Sequence, residues 1–523
     1  MSSPSSQSRQ QQERREEAAQ QDRIDEALRI ALKGGNPAAL GTKLPVRQRL
    51  DLLLDADSWV EDGLLAHTLV NGYPADGVLT GTGTISGRRV AVIAHDPTVK
   101  AGSWGERTVE KQVRILERAD SDLLPVFYFV DSAGGRLTDQ LGFFPGRRGA
   151  ARIFHLQVRL SGRVPQLCIL FGPAAAGGAY MPAFCDWTGM VDGNASMSLA
   201  SPRVTEVVIG EKTTLEEMGG ARMHTTVSGS GDQLFPDDAT AIAAVRQLFS
   251  YLPQTWHERP APIPSIQPVS SGTQDWQKLV PENPRMSYDM HRVIERIVDA
   301  ESFFEIKAKY AAEIITGFAR LDGRVIGIVA NQPRVKSGAI FVDSADKAAR
   351  FMTFSDAFNI PLLFLVDVPG FMVGTEVERA GIIRHGAKMI SAMASAEVPR
   401  FCVVVRKAYA AGFYAMSSPG FEPTATIALP SAQIGAMSAE AAVSAVFTKK
   451  IEAITDPAER AAFIAEQRAI YEADLDLLRL ASDLYIDAVI PGEMVRRELA
   501  LRLRASDGWE RECQRRHHAI FPV

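Results

Sequence analysis

Two stretches of small residues are the places in this sequence where chemistry could happen. AAAGGAYMPA (174–183) follows the apolar run ILFG, and AYAAGFYAMSS (408–418) follows VVVR. Each stands just after a buried-strand pattern and just before a helical one. Small side chains let a ligand approach the main chain closely, and the first amides of a helix have no partner within it. A pair of such N–H groups is how proteins build an oxyanion hole, worth several kcal/mol at a developing enolate or tetrahedral oxygen. The same small residues could equally serve close packing of helix on strand, so the pattern alone reads as an enzyme with two related oxyanion sites.

Other chemistries find less support. DSAGGR (131–136) has the look of a phosphate-cradling loop, but it lacks the GxxxxGK[ST] spacing, and no GxGxxG follows a strand. The nine histidines include no HExxH pair, and the four cysteines form no CxxC knuckle, so no metal site is expected. A serine nucleophile elbow, GxSxG, is absent as well.

The elements that must position these loops occur twice. LTGTGTISGRRVAVIAHDPTVKAG (79–102) matches ITGFARLDGRVIGIVANQPRVKSG (315–338), with Gly81 and Gly317 separated by 236 residues. The same offset relates Pro125 to Pro361 and Asp131 to Asp367, and an offset of 234 relates Pro165 to Pro399 and Gly178 to Gly412. Four blocks in the same order at a nearly constant spacing mark a duplicated domain, and the period is far too long for a solenoid. Within each copy, short runs rich in Val, Ile, Leu and Phe (RRVAVIA, PVFYFVD, PQLCILFG; then RVIGIVA, PLLFLVD, RFCVVVR) read as strands buried on both faces. TVEKQVRILERADS (108–121) and DKAARFMTFSDAF (346–358) have helical spacing. The alternation predicts an α/β fold with mainly parallel sheets and helices outside.

Residues 253–284 hold seven prolines and no amphipathic pattern, which suggests a linker. The expected organisation is a disordered tail at 1–25, an N-terminal domain at 26–260, a linker at 261–284 and a C-terminal domain at 285–523 whose last part (457–504) is mostly helix. A length of 523 residues suits two to four domains. The net charge of −5 provides no footprint for nucleic acid or for an anionic membrane. No stretch supplies the roughly 20 apolar residues of a spanning helix. Few cysteines, three of them in apolar runs, suggest buried thiols in a reducing compartment, hence a cytoplasmic protein.

At these residues the chain resembles the carboxyltransferase (β) subunits of biotin-dependent acyl-CoA carboxylases, the group of propionyl-CoA and 3-methylcrotonyl-CoA carboxylases. The resemblance runs from RIDEALRIALKGG (23–35) to the end. It includes RQRLDLLLDADSW (47–59), DGVLTGTGTISGR (76–88), GEKTTLEEMGGARMH (210–224), ANQP (330–333), VDVPGFMVGTEVERAGIIRHGAKM (366–389) and RKAYAAGFYAMSS (406–418). It implies two crotonase-like domains, each a β-β-α superhelix. It also implies transfer of CO2 from carboxybiotin, carried on a separate protein, to the α (or vinylogous γ) carbon of an acyl-CoA through an enolate. By motif, Gly177 and Gly178 would hold the thioester oxygen, and Ala411 and Gly412 the biotin carbonyl; Ala179, Tyr180, Phe413 and Tyr414 would contact substrate.

Where propionyl- and acetyl-CoA enzymes read GGAYD, this chain reads AAGFY, so Tyr414 stands at a position linked with acyl selection. FFPGRRGAARIFHLQ (143–157) is closer to the methylcrotonyl group, and DSAGGR replaces the usual DSGGAR. No biotinylation site or ATP-grasp signature is present, so the resemblance implies a biotin carboxylase and carrier partner and a hexamer built as a trimer of dimers. Two alternatives are a decarboxylase subunit of the same superfamily and a non-catalytic subunit of a mixed carboxylase.

Overall fold

The structure is a computed structural model that describes residues 6–69, 73–268, 273–510 and 518–521. It divides into two compact units, Met1–Phe249 and Ser250–Val523. Each is built on one mixed sheet of eight strands. In the first unit these are β1 (Val60–Asp62), β2 (Val78–Ile85), β3 (Arg88–His95), β4 (Val126–Ser132), β5 (Gln166–Ala175), β6 (Trp187–Val191), β7 (Ser196–Ser198) and β8 (Gln233–Phe235). In the second they are β9 (Phe304–Ile306), β10 (Ile314–Leu321), β11 (Arg324–Asn331), β12 (Leu362–Val368), β13 (Arg400–Tyr409), β14 (Ala425–Ala428), β15 (Gln433–Gly435) and β16 (Ala488–Val489). The order β1-β2-β3-β4-β5-β6-β8, with β7 beside β5, is reproduced by β9-β10-β11-β12-β13-β14-β16, with β15 beside β13.

The parallel expectation holds from β3 to β8 and from β11 to β16, whereas the first three strands of each sheet are antiparallel. The reason is local. Ser86-Gly87 and Asp322-Gly323 all have positive φ, between 51° and 76°, and join paired strands through two residues. That is the hairpin turn whose twist matches its strands, and it needs residues that tolerate the left-handed region. Beyond the hairpin each strand must cross over a helix. Glu106–Asp122 connects β3 to β4 and Val342–Ala357 connects β11 to β12. Both begin before the apolar periodicity does, because Thr108 and Ser344 accept the amides of Gly105 and Phe341 and close the first turn.

The central strands explain why their sequences do not alternate. Every residue of β4 and β12 is buried, so both faces carry core. Burying a Phe, Leu or Val side chain here contributes about 1.5–3 kcal/mol. The segment expected as a tail begins a helix, Ser6–Lys33, rich in good helix formers and exposed from residue 9 to 26. Within 261–284, Ile263 donates to Gly323 O, and Trp276 and Val280 enter the core of the second unit. No helix among the described residues is long and apolar enough to cross a membrane.

The duplication extends to buried charge. Lys111 and Lys347 occupy matching positions on the two crossover helices, and each ammonium points into main-chain carbonyls of the turn that enters the first long strand. Lys111 donates to Ala75 O and Val78 O. Lys347 donates to Lys307 O (2.9 Å), Tyr310 O (2.8 Å) and Ile314 O (2.7 Å). These turns contain left-handed alanines, Ala75 and Ala311, so the lysines fasten strained backbone. Burial pushes Lys111 down to about 8 and Lys347 down to about 7.

A lysine whose folded-state value lies below its unfolded one makes the unfolded chain bind more protons between the two, so folding stability rises with pH across that window. For Lys347 the window runs from about pH 7 to the ordinary lysine range. Lys347→Met should therefore flatten the gain in stability between pH 7 and pH 10 by up to about 1.4 kcal/mol per pH unit. Urea unfolding of both proteins at three pH values measures this; identical slopes would mean that the carbonyls keep the amine charged throughout.

Candidate active site

Each candidate loop is launched by an irregularity in the middle of its sheet. Val130 pairs with Leu170 and Ser132 with Ala174, so Asp131 alone faces three residues of β5, Phe171, Gly172 and Pro173. Likewise Val366 pairs with Val404 and Val368 with Ala408, so Asp367 faces Val405, Arg406 and Lys407. The extra residues bow the strand, and the last residues of β5 and β13 run alongside the short strands β7 and β15. The next residue then turns left-handed: Ala176 at φ 53° and Ala410 at φ 52°. Left-handed alanine costs about 1–2 kcal/mol, which the surrounding sheet must hold in place.

After that turn the chain coils. Ala176–Ala179 is a single 3₁₀ turn leading into the helix Tyr180–Phe184, and Ala410–Ala415 is helical from the start. Gly177, Gly178, Ala179 and Tyr180 thus share one turn, and Ala411, Gly412, Phe413 and Tyr414 share the other. Gly177 and Ala411 are exposed, while Gly178 and Gly412 are buried beneath them. Tyr180 and Tyr414 are both about half exposed, whereas Phe413 is largely buried. The amides of these first turns belong to the set that a helix leaves unpaired.

Space around the glycines differs. A Cβ on Gly177 would meet nothing within 4 Å, and one on Gly178 would touch only Trp104 Cζ2 at 3.8 Å. A Cβ on Gly412 would stand 2.7 Å from Gly370 Cα and 2.9 Å from Val368 Cγ2. In the second unit, glycine is needed for close approach of two loops; in the first, the space above the glycines is open.

The first loop has a rigid aromatic wall. The Trp104 indole N–H donates to His95 Nε2 at 3.0 Å, while His95 Nδ1 lies 3.3 Å from Phe129 O. Burial holds His95 down at about 4, so the ring is neutral and can accept the bond. Phe154 packs between Trp104, Tyr180 and Phe184, with centroids 5.8–6.4 Å away. Trp104 also clamps the DSAGGR turn: its amide donates to Gly134 O and its carbonyl accepts from Arg136 N, both at 2.8 Å. Ile340 makes the same pair of bonds to Gly370 and Met372 in the second unit. Arg136 is further tied to Asp76, both nearly inaccessible.

The second loop borders an apolar cavity of about 590 Å³, lined by Phe413, Tyr414, Phe421, Ile434, Leu480 and Tyr485 among others. Tyr409, at the end of β13, donates to Gln433 Oε1 at 2.7 Å and so fixes β15 beside the turn. Among the described residues no cluster of three or more His, Cys, Asp or Glu side chains could hold a metal ion.

Trp104 and the left-handed alanines escape the sequence reading. Glycine is the usual signal for positive φ, and alanine gives none. Trp104 could have been found by carrying the 236-residue offset to Ile340, since both follow the matched VKAG and VKSG segments.

Two eight-stranded sheets, each ending in an amide-bearing turn after its fifth strand, are the architecture of a duplicated carboxyl-transfer enzyme. A model of the carboxyl transferase domain matches residues 40–521, and the chain belongs to that family. It is 57% identical to the carboxylase YngE of Bacillus subtilis (strain 168), over 92% of this chain and 94% of the relative. Identity is 39% to the methylmalonyl-CoA carboxyltransferase 12S subunit of Propionibacterium freudenreichii subsp. shermanii, over 92% of each chain. It is 36% to the propionyl-CoA carboxylase carboxyltransferase subunit of Haloferax mediterranei, over 96% of this chain and 99% of the relative. The fold superposes on the transcarboxylase 12S crystal structure, a hexamer with methylmalonyl-CoA bound, with a TM-score of 0.89 at 38% identity, covering 96% and 98% of the two chains. The two units are therefore crotonase-like domains. The protein is a carboxyltransferase of the biotin-dependent acyl-CoA carboxylase family, which moves a carboxyl group from biotin to an acyl-CoA.

The glycine geometry separates binding from folding. Gly178→Ala fits the free protein, so its stability should stay within the range of a surface substitution, about 0.5 kcal/mol, while carboxylation falls about 100-fold by crowding the ligand. Gly412→Ala should lower both, because its Cβ meets Gly370. Thermal melts paired with a carboxylation assay test this, and a Gly178→Ala protein of normal activity would remove Gly178 from the site.

Proposed function

We propose that the first loop is the acyl-CoA half-site and the second the biotin half-site. Gly177 and Gly178 donate to the thioester oxygen, and their hold tightens as negative charge gathers there in the enolate. Such donors are preorganised, do not titrate and need no reorganisation during the reaction. Ala411 and Gly412 donate to the carbonyl oxygen of the biotin ring. The fit is physical: an exposed amide turn beside an apolar cavity suits a bicycle with a ureido carbonyl on one side and an apolar thioether ring on the other. Carboxybiotin, delivered on a carrier protein, supplies the CO2 and, once decarboxylated, the nitrogen that takes the substrate proton. The chain's own part is to orient the two reactants and keep their oxygens on the amides, which is worth several kcal/mol of barrier. The Trp104–Phe154 wall keeps the thioester side dry and stiff, and Tyr180 closes its edge.

This reading makes the chain the carboxyltransferase partner of a biotin carboxylase and carrier subunit, assembled as a hexamer in the cytoplasm; the hexamer of the 12S relative supports the assembly. The observation that carries the reading is the paired amide turn after β5 and β13, at matched positions with matched left-handed alanines. It is tested by ATP-dependent carboxylation of an acyl-CoA panel with the partner subunit reconstituted. Product with no acyl-CoA, despite full assembly, would favour a non-catalytic subunit.

Tyr414 bears on the acyl group. It stands half exposed in the lining of the apolar cavity, at the position that the resemblance links with acyl selection. With the cavity given to biotin, Tyr414 acts on the acyl group where that group meets the biotin half-site. The surrounding loop order, closer to the methylcrotonyl group, favours a branched or unsaturated acyl group such as 3-methylcrotonyl over propionyl. The ratio of kcat/KM for 3-methylcrotonyl-CoA to that for propionyl-CoA should exceed one in the native enzyme and fall about 10-fold in Tyr414→Asp, the range expected for a pocket difference of one or two carbons. A native preference for propionyl-CoA left unchanged by the substitution would remove both the substrate and the role of Tyr414.

A further inference from the structure

The two matched aspartates are neutralised from opposite directions. In the second unit Asp367 is fully buried, and its cation comes from its neighbouring strand: Arg406 Nε and Nη2 stand 3.1 Å from Oδ2. Arg406 also reaches back to the carbonyls of Asn283 and Met286, in the segment that precedes the sheet. At the matched position the first unit has Gly172, and it can have nothing larger, since a Cβ there would lie 1.9 Å from Asp131 Oδ1. The carboxylate of Asp131 lies across that glycine, and its charge is met from the preceding segment instead. Lys43 Nζ reaches both carboxylate oxygens, at 3.0 and 2.9 Å. Arg49, over the Phe171 ring, stands at 3.6 Å from Asp131 and gives its Nε to Asp238 Oδ2 at 2.8 Å. Asp238 in turn accepts the amide of Leu44 at 3.0 Å. Two carboxylates and two cations form a closed, neutral, buried cluster, and Lys43 is the group that hydrogen-bonds Asp131 directly.

Asp131 fills the bow of β5 immediately before Ala174, Ala175 and the left-handed Ala176. We infer that Lys43 is a positioning residue for the acyl-CoA half-site: by neutralising and orienting Asp131 it fixes the bow of β5 and thereby the aim of the Gly177 and Gly178 amides. The inference rests on the assignment of the acyl-CoA to that loop. Its counterpart in the second unit is Arg406, so Lys43 acts on one half-site only. With Lys43 lost, a carboxylate that burial already pushes up keeps only Arg49, which is shared with Asp238. A bare buried charge displaces its surroundings or takes up a proton.

The test uses the carboxylase reconstituted with its partner subunit. Lys43→Met should lower kcat/KM for the acyl-CoA about 10- to 100-fold, as expected of a sub-ångström to ångström misplacement of the donors. The KM for the carboxylated carrier should not change. The ratio of variant to native activity should rise as the pH falls, because protonation of Asp131 removes the uncompensated charge, and Lys43→Arg should restore most of the activity with the native pH profile. If Lys43→Met does not fold, Lys43→Met/Asp131→Asn, which removes both charges, takes its place in the kinetic comparison and should spare the carrier KM in the same way. Native kcat/KM in folded Lys43→Met, or an equal and pH-independent loss toward both substrates, overturns the inference. A loss confined to the carrier side would uphold positioning by Lys43 and overturn the assignment of acyl-CoA to this loop.

Discussion

The bow in the fifth strand of each sheet is the constraint on which everything else depends. Parallel strands in register leave no room for a chain to swing away from its neighbour, yet three residues here oppose a single aspartate, twice. The deviation lifts the strand end out of the ladder, and the left-handed alanine that follows points the next amides outward. The carboxylate that occupies the bow is buried and must be neutralised, which in turn dictates where the cations of each unit stand. Buried lysines on the crossover helices hold the strained turns that enter β2 and β10 at the same end of the sheets. Conserved geometry in the two copies therefore comes from electrostatic and backbone constraints more than from side-chain identity.

Where the copies differ, the difference is chemical. The first loop faces a wall of tryptophan and phenylalanine with open space above its glycines; the second is packed tightly at Gly412 and opens on an apolar chamber. Neither turn itself, Ala176–Phe184 or Ala410–Ala415, carries a carboxylate or imidazole among its residues, and the buried His95 behind the first is spent holding Trp104. Backbone donors keep their strength across pH, which suits the proposed reaction, in which the biotin nitrogen and not the protein takes the proton.

Much of this was legible in the sequence. The duplication, the buried strands and the two glycine loops can be read from matched blocks because hydrophobic runs and small residues follow directly from burial and close approach. The hairpins at Ser86-Gly87 and Asp322-Gly323 were legible too, as paired turn residues, but a reading that weighs only crossovers passes over them. Of the helix at Ser6–Lys33, the part near Arg23–Leu32 was legible. The polar stretch before it has no apolar face and reads as tail, although local pairs such as Gln12 on Glu16 favour a helix there too. Ala176 and Ala410 leave no trace, since the strain is imposed by the sheet. Lys43 lies between: aligning Gly172 with Arg406 reveals a missing cation, but not where its substitute comes from.

The central claim is that backbone amides on the two matched turns hold the two reactants. A crystal structure of the protein with an unreactive acyl-CoA analogue and biotin tests it most directly. The account predicts the thioester oxygen within about 3 Å of the Gly177 and Gly178 amides, and the biotin carbonyl within about 3 Å of those of Ala411 and Gly412. A thioester oxygen held by side chains, or bound away from both turns, would contradict it.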